Sequence, residues 1–179
     1  MQAVHKLLNQ GDTDVVDADL SGDFDTLPHA ELRPCVARRV SDKALRPLVQ
    51  LGRDAPVEET DRRGHVHRTT RNKDEGQGTP HGAPLSPWLA NLSLRRFVLG
   101  WKTWGPAPRL QAHLVNYAAD FVICGKGTAE HALSTMRSML SRIKLTVPEK
   151  KTKRCRVPAE TFDFLGSTFG RCDPSRGPN

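Results

Sequence analysis

No run of about 18 apolar residues occurs in this chain, so it holds no sequence for a membrane-spanning helix. The opening Met1-Gln-Ala-Val-His-Lys-Leu-Leu lacks the pattern of a secretory leader. Cysteine is sparse. Cys35, Cys124, Cys155 and Cys172 include no C-x-x-C pair, and no histidine pair completes a zinc pattern. These absences argue against a disulfide-stapled or zinc-built fold. They predict buried free thiols in a reducing compartment, the cytoplasm. No internal repeat is present.

What is there is a basic chain of 179 residues, long enough for one ordinary domain with a sizeable core. Net charge is +7, which favours a polyanionic partner. The basic groups are clustered: Arg62, Arg63, Arg68, Arg71 and Lys73 in one stretch, and Lys144, Lys150, Lys151, Lys153, Arg154 and Arg156 in another. Clusters point to phosphate contacts better than totals do. A solvated basic surface with no partner is the plainer alternative.

Residues 2–10 read as a helix stopped by Gly11, and Val15 to Leu20 as a strand. The repeat of Val4, Leu7 and Leu8 predicts a chain that begins inside a fold. Ala30 to Val40 reads as a helix, with Pro34 inside it at a cost of ~3 kcal/mol unless the helix bends. Pro47 poses the same problem in the next helical stretch. Alternation about Arg63-Gly64 predicts a hairpin. Ser86 is expected to cap a helix with Pro87 at its first position. Gly105-Pro-Ala-Pro reads as a turn or short linker. Thr128 is expected to cap a helix reaching about Ile143. Leu145 to Val147, Arg154 to Val157 and Thr161 to Phe169 read as strands or turns, and 173–179 as a disordered tail. This mixture predicts an α+β domain over 1–172: a sheet with helices packed on one face.

Three constellations carry chemistry. Asp17-Ala-Asp19-Leu-Ser-Gly-Asp23-Phe24-Asp25 places four carboxylates in nine residues. It imitates a calcium-binding EF-hand loop, but Pro28 stands where the bidentate Glu belongs and a strand precedes it. On a strand, Asp17 and Asp19 face the same side, and a divalent cation would relieve their repulsion. The plainer reading, helix-capping and turn acids, suits Asp23 and Asp25 better than Asp17 and Asp19. Gln77-Gly78-Thr79-Pro80-His81-Gly82-Ala83-Pro84-Leu85-Ser86-Pro87 forms a loop in which small residues allow close approach of a ligand. A helix start follows and presents free amides to phosphate. Asn116-Tyr117-Ala118-Ala119-Asp120-Phe121-Val122 reads as a hairpin tip carrying one carboxylate.

Taken in order, these blocks resemble group II intron reverse transcriptases. Gly78 to Asn91 is similar to the family box Gly-Thr-Pro-Gln-Gly-Gly-Pro-Leu-Ser-Pro-Leu-Leu-Ala-Asn, with His81 in place of Gln. Tyr117 to Asp120 resembles the Tyr-Ala-Asp-Asp box, with Ala119 in place of the first Asp. Leu145 to Lys153 and Phe162 to Gly166 resemble the last two palm motifs. The resemblance covers about 11 to 171.

It implies a polymerase palm-like antiparallel sheet with helices on one face and partial fingers. It implies an RNA-directed DNA polymerase using two-metal nucleotidyl transfer, with Mg²⁺ as cofactor. Implied partners are an RNA template, a primer and a dNTP, with group II intron RNA as a further one. Asp19 and Asp120 become catalytic metal ligands, and Phe24 the gate that excludes a 2′-hydroxyl. Gly78, His81, Gly82 and Lys151 become substrate-binding residues, Lys151 near the nucleotide phosphates. Ala119 offers no ligand, so the resemblance implies weak or absent polymerase activity. A non-catalytic RNA-binding protein of the same descent is the alternative. A poorly folded remnant, given Pro34 and Pro47, is another.

Overall fold

The computed structural model of the chain describes residues 1–20, 26–60, 63–80, 84–145 and 147–170. The elements run α1 (Gln2–Asn9), β1 (Asp14–Asp19), α2 (His29–Arg39), α3 (Leu45–Arg53), β2 (Val57–Thr60) and β3 (Val66–Thr69). They continue with α4 (Arg71–Asp74), α5 (Ser86–Trp104), α6 (Pro106–Leu110), β4 (His113–Tyr117) and β5 (Asp120–Gly125). The chain closes with α7 (Ala129–Arg142), a 3₁₀ turn (Glu149–Lys151), β6 (Thr152–Arg156), β7 (Phe162–Phe164) and β8 (Ser167–Phe169).

Four strands form an antiparallel sheet in the order β4-β5-β1-β6, so the two central strands are β5 and β1. Alternation along β1 sorts its side chains. Val16, Ala18 and Leu20 point to a core shared with Leu32 and Val36 of α2, Leu89, Phe97 and Trp101 of α5, and Met136 and Leu140 of α7. Fully burying a side chain of the Leu or Phe class contributes ~1.5–3 kcal/mol, so this layer holds the helices to the sheet. Trp101 is buried completely, and its indole Nε1 donates to the Ala112 carbonyl at 3.0 Å, so its one polar atom is satisfied. The expected α+β sheet with helices on one face is present.

The opposite face is covered only in part. There Val15, Val122 and Cys124 pack against Val4 of α1 and against Cys155, Phe162, Phe164 and Phe169. α1 therefore lies on the face away from the other core helices. The β7–β8 hairpin, with Phe162 stacked on Phe169 at 5.1 Å, closes one end of this face. Beside the hairpin's tip, at Phe164 and Leu165, a cleft stays open, and Asp17 and Asp19 of β1 line it.

Several sequence expectations are corrected. Ser86 does not cap α5: Leu85 holds the capping position, and the Ser86 hydroxyl donates to the Pro80 carbonyl at 2.6 Å. Thr128 stands at the capping position of α7, but its hydroxyl makes no capping bond and is buried with no hydrogen-bond partner among the described residues. The Gly105-Pro-Ala-Pro stretch is a helix, α6, because Pro106 at the first position pre-sets the backbone. Pro47 falls in the first turn of α3, where its missing N–H has no helical partner to lose, so the expected cost vanishes. α2 runs through Pro34 from His29 to Arg39. The 173–179 tail and Cys172 lie outside the described residues.

Candidate active site

β1 and β5 pair so that Asp19 lies directly opposite Asp120. The register is set by burial on both sides: Val15 and Val16 face Cys124 and Ile123, and shifting the pair by one residue would turn the core residues into the open cleft. Asp19 and Asp120 share a cleft of about 240 Å³ with Asp17, Lys151, Lys153, Asp163, Phe164 and Leu165. Asp17 sits two residues before Asp19 on the same face, as alternation predicts.

Asp17 and Asp120 both sit above the ordinary carboxylate range, against the pull of Lys153 and Lys151. Burial pushes the Asp17 carboxyl up to about 6, and Asp120, Asp163 and Asp19 push the same way, while Lys153 opposes them. Burial also raises the Asp120 carboxyl, followed by the charge of Asp19 and a hydrogen bond shared with it; Lys151 opposes. The Lys151 ammonium donates to Asp19 Oδ2 at 3.1 Å. Lys151 thus reaches the cleft from the 3₁₀ turn just before β6.

The hairpin between β4 and β5 is closed by the Tyr117–Asp120 pair and turns through Ala118 and Ala119. Ala118 adopts φ 49°, a left-handed conformation that costs an L-residue ~1–2 kcal/mol and is usually left to Gly or Asn. Such strain persists where the surroundings over-determine it. Here the Leu20 N–H donates to the Ala119 carbonyl at 3.1 Å and carries the β1–β5 ladder into the turn. Ala119 packs against the helix-side core and lines a small apolar cavity of about 40 Å³ with Leu20, Leu27, Pro87 and Ala90. It does not line the acidic cleft.

The loop before α5 is tied to the segment after β1. Pro28 bridges Gln77, the Gly78 N–H donates to the Leu27 carbonyl at 2.9 Å, and the His29 N–H donates to the Gly76 carbonyl at 3.0 Å. The His29 ring adds a bond from Nε2 to the Gly78 carbonyl at 2.6 Å, which fixes the proton on Nε2 because a carbonyl only accepts. Burial lowers the His29 pKa and keeps the ring neutral. Its Nδ1 stands 3.9 Å from Asp54, which Arg53 holds at 2.7 and 3.0 Å. Gly78 itself has φ 82°, which glycine alone adopts readily.

Of the expected site residues, Asp19, Asp120 and Lys151 come together in the cleft, and Gly78 anchors the loop. Phe24, His81 and Gly82 lie outside the described residues, as do Asp23, Asp25 and the middle of the EF-hand-like loop. β1 is a strand where an EF-hand needs a helix. Sequence reasoning gave no role to Asp163 and missed His29. Asp163 was findable: it is the acid between two buried phenylalanines in a hairpin strand. His29 gave no pattern, because its partner lies 49 residues away.

Two carboxylates facing each other on adjacent strands suit one hard cation, whose charge would relieve the repulsion that raises Asp120. They do not suit a pair. Among the described residues no three His, Cys, Asp or Glu side chains form a cluster ready to hold a metal.

The sequence pattern of the family "Reverse transcriptase (RNA-dependent DNA polymerase)" matches residues 2–169. The chain belongs to the reverse transcriptase family. Protein YkfC of Escherichia coli (strain K12) is 32% identical over 187 residues, covering 85% of this chain and 45% of that protein. This reverse transcriptase chain thus spans less than half of that curated relative. Among solved structures, apo telomerase from Candida tropicalis truncated from its C-terminal domain matches with TM-score 0.62 at 14% identity. That match covers 94% of this chain and 38% of the telomerase chain. Telomerase from Candida albicans, in complex with a fragment of telomeric RNA, matches with TM-score 0.61 at 14% identity, covering 96% of this chain and 33% of the other. At such identities the likeness concerns the fold alone, and it agrees with a reverse transcriptase palm.

Proposed function

We propose that this chain is the palm, with part of the fingers, of an RNA-directed DNA polymerase of the group II intron type, with impaired catalysis. The observation that carries this reading is the register pairing of Asp19 with Asp120 at the open end of the sheet, next to Lys151. Asp19 and Asp120 are the residues to hold Mg²⁺, and Lys151 is the cation to meet nucleotide phosphates. The metal, when bound, supplies Lewis-acid stabilisation of charge on the transferred phosphate and the primer hydroxyl. The chain's own residues do the positioning. The β7–β8 hairpin borders the cleft where a primer end would rest, and the loop anchored by His29 sets the floor for the nucleotide and its RNA template. Phe24, His81 and Gly82 complete the nucleotide site in this reading.

Ala119 supplies no ligand, and it lines the apolar cavity on the helix side. A site short of one carboxylate places its metals poorly, and misplacement of about 1 Å costs ~100-fold in rate. The test is a Mn²⁺ titration followed by electron paramagnetic resonance. One Mn²⁺ per chain is expected, with at least ~10-fold weaker binding in Asp19→Asn and in Asp120→Asn. Binding unchanged by both substitutions removes the cleft from the reading.

A second reading is favoured by Ala119 and by the basic surface: an RNA-binding protein of reverse transcriptase descent that no longer polymerises. Group II intron RNA is the partner it would keep. RNA binding that survives EDTA and falls steeply with salt supports this reading. Loss of binding on chelation contradicts it.

A further inference from the structure

On the helix side of the sheet, away from the acidic cleft, α2 and α5 enclose a second cleft of about 170 Å³. Its floor is Pro34, Cys35 and Leu92, and its walls carry Arg38, Arg39, Arg95 and Arg96 with one acid, Glu31. Glu31 is already engaged: Arg96 holds it at 2.9 Å and Lys144 stands 3.7 Å away. These partners hold its carboxyl below the usual range. Arg38, Arg39 and Arg95 make no ion pair among the described residues, and all three are exposed. Three unpaired guanidiniums around one concavity repel each other, so the arrangement costs stability unless an anion occupies it. Guanidinium forks match phosphate oxygens in pairs.

The α2–α5 cleft is thus lined mainly by arginines, whereas the sheet-face cleft holds four carboxylates with Lys151 and Lys153. We propose that the α2–α5 cleft is a second RNA-docking site, binding the phosphodiester backbone of an RNA segment distinct from any template and primer at the acidic cleft. That the polyanion is RNA rests on the functional reading above; that a phosphate backbone fits rests on the arginines alone. The apolar floor accepts the face of a ribose or base, and the fork geometry fixes the strand's course across α2 and α5. The site would keep a structured RNA attached while the sheet face is engaged separately.

The experiment measures binding of a fluorescein-labelled 20-nucleotide single-stranded RNA, over a range of salt, to the full chain and two charge-matched variants. One carries Arg38→Gln, Arg39→Gln and Arg95→Gln. The other carries Lys6→Gln, Lys43→Gln and Lys126→Gln, exposed lysines that do not line the cleft. The arginine variant should lose at least ~10-fold in affinity at 0.1 M salt, and its salt slope should fall by about 2, for three phosphate contacts at ~0.7 each. The lysine variant should lose far less. Alkylation of Cys35, which lines the floor, is followed by peptide mass in the unaltered chain and should slow when RNA is added. Equal loss in the two variants, or Cys35 labelling that RNA does not slow, overturns the proposal. RNA binding that persists in the arginine variant but vanishes on Lys150→Gln, Lys151→Gln and Lys153→Gln also overturns it, while leaving the functional reading standing. No RNA binding by the unaltered chain overturns both.

Discussion

The ammonium of Lys151 lies 3.1 Å from Asp19 Oδ2, with the two side chains 43% and 33% exposed. A cation built into the chain thus occupies the position at which a metal would neutralise Asp19. An exposed pair of this kind contributes little to stability. Its consequence lies in competition. Lys151→Gln removes the competitor, so Mn²⁺ alone should bind a few-fold tighter. Mn²⁺ with a dNTP should bind weaker, because the phosphates lose their partner. Paramagnetic resonance titrations with and without nucleotide measure both. Two effects of the same sign would mean that Lys151 has only one of these roles.

Asp17 is stored strain of an electrostatic kind. Its carboxyl is raised from 3.8 to about 6, chiefly by burial. Below pH 3.8 the group is protonated whether folded or unfolded, and its stabilising contribution is fully present. That contribution is lost as pH rises through about 6. Asp17→Asn should therefore stabilise the chain by ~1–2 kcal/mol at pH 7–8, after discounting for solvent screening, and leave it unchanged near pH 3. Urea unfolding at the two pH values decides it.

His29 should prove to be a positioning residue for the loop before α5. His29→Ala removes the 2.6 Å bond to the Gly78 carbonyl and leaves that acceptor without its ring partner at a buried site, a cost of ~1–3 kcal/mol. The Gly78 amide, now bonded to the Leu27 carbonyl, should exchange its hydrogen faster, while amides in β1 and β5 keep their protection. Uniform loss of protection would instead mean global destabilisation.

Burial pushes the Cys124 thiol up to about 12. It should resist thiolate-selective reagents at pH 8 in the native chain, whereas Cys35, half-buried in α2, reacts. The sign for stability follows from the raised value. The contribution is fully present below pH 9 and is lost as pH climbs towards 12, because the unfolded thiol ionises first. Cys124→Ala should remove that alkaline component of the unfolding profile.

Much of the framework was legible. Alternation in Val15 to Leu20 gave the central strand and the shared face of Asp17 and Asp19, and Asn116 to Val122 gave the hairpin tip beside it. The helix expected to reach about Ile143 ends at Arg142. What failed were the caps. Ser86 and Thr128 carry the right chemistry at helix starts, but tertiary contacts claim Ser86, and Thr128 makes no capping bond. Pro47 misled because propensity is positional: the same ring is costly inside a helix and neutral in its first turn. The pairing of Asp19 with Asp120, of Lys151 with Asp19 and of His29 with Gly78 joins residues far apart in the chain, which local pattern does not report.

The central claim is that Asp19 and Asp120 form a polymerase site too incomplete to work, because Ala119 adds no carboxylate. Its most direct measurement is extension of a DNA primer on an RNA template, with Mg²⁺ and with Mn²⁺, by the unaltered chain beside Asp19→Asn. Extension by the unaltered chain should not exceed the Asp19→Asn background. Robust extension that Asp19→Asn abolishes would contradict the claim and show that two carboxylates suffice.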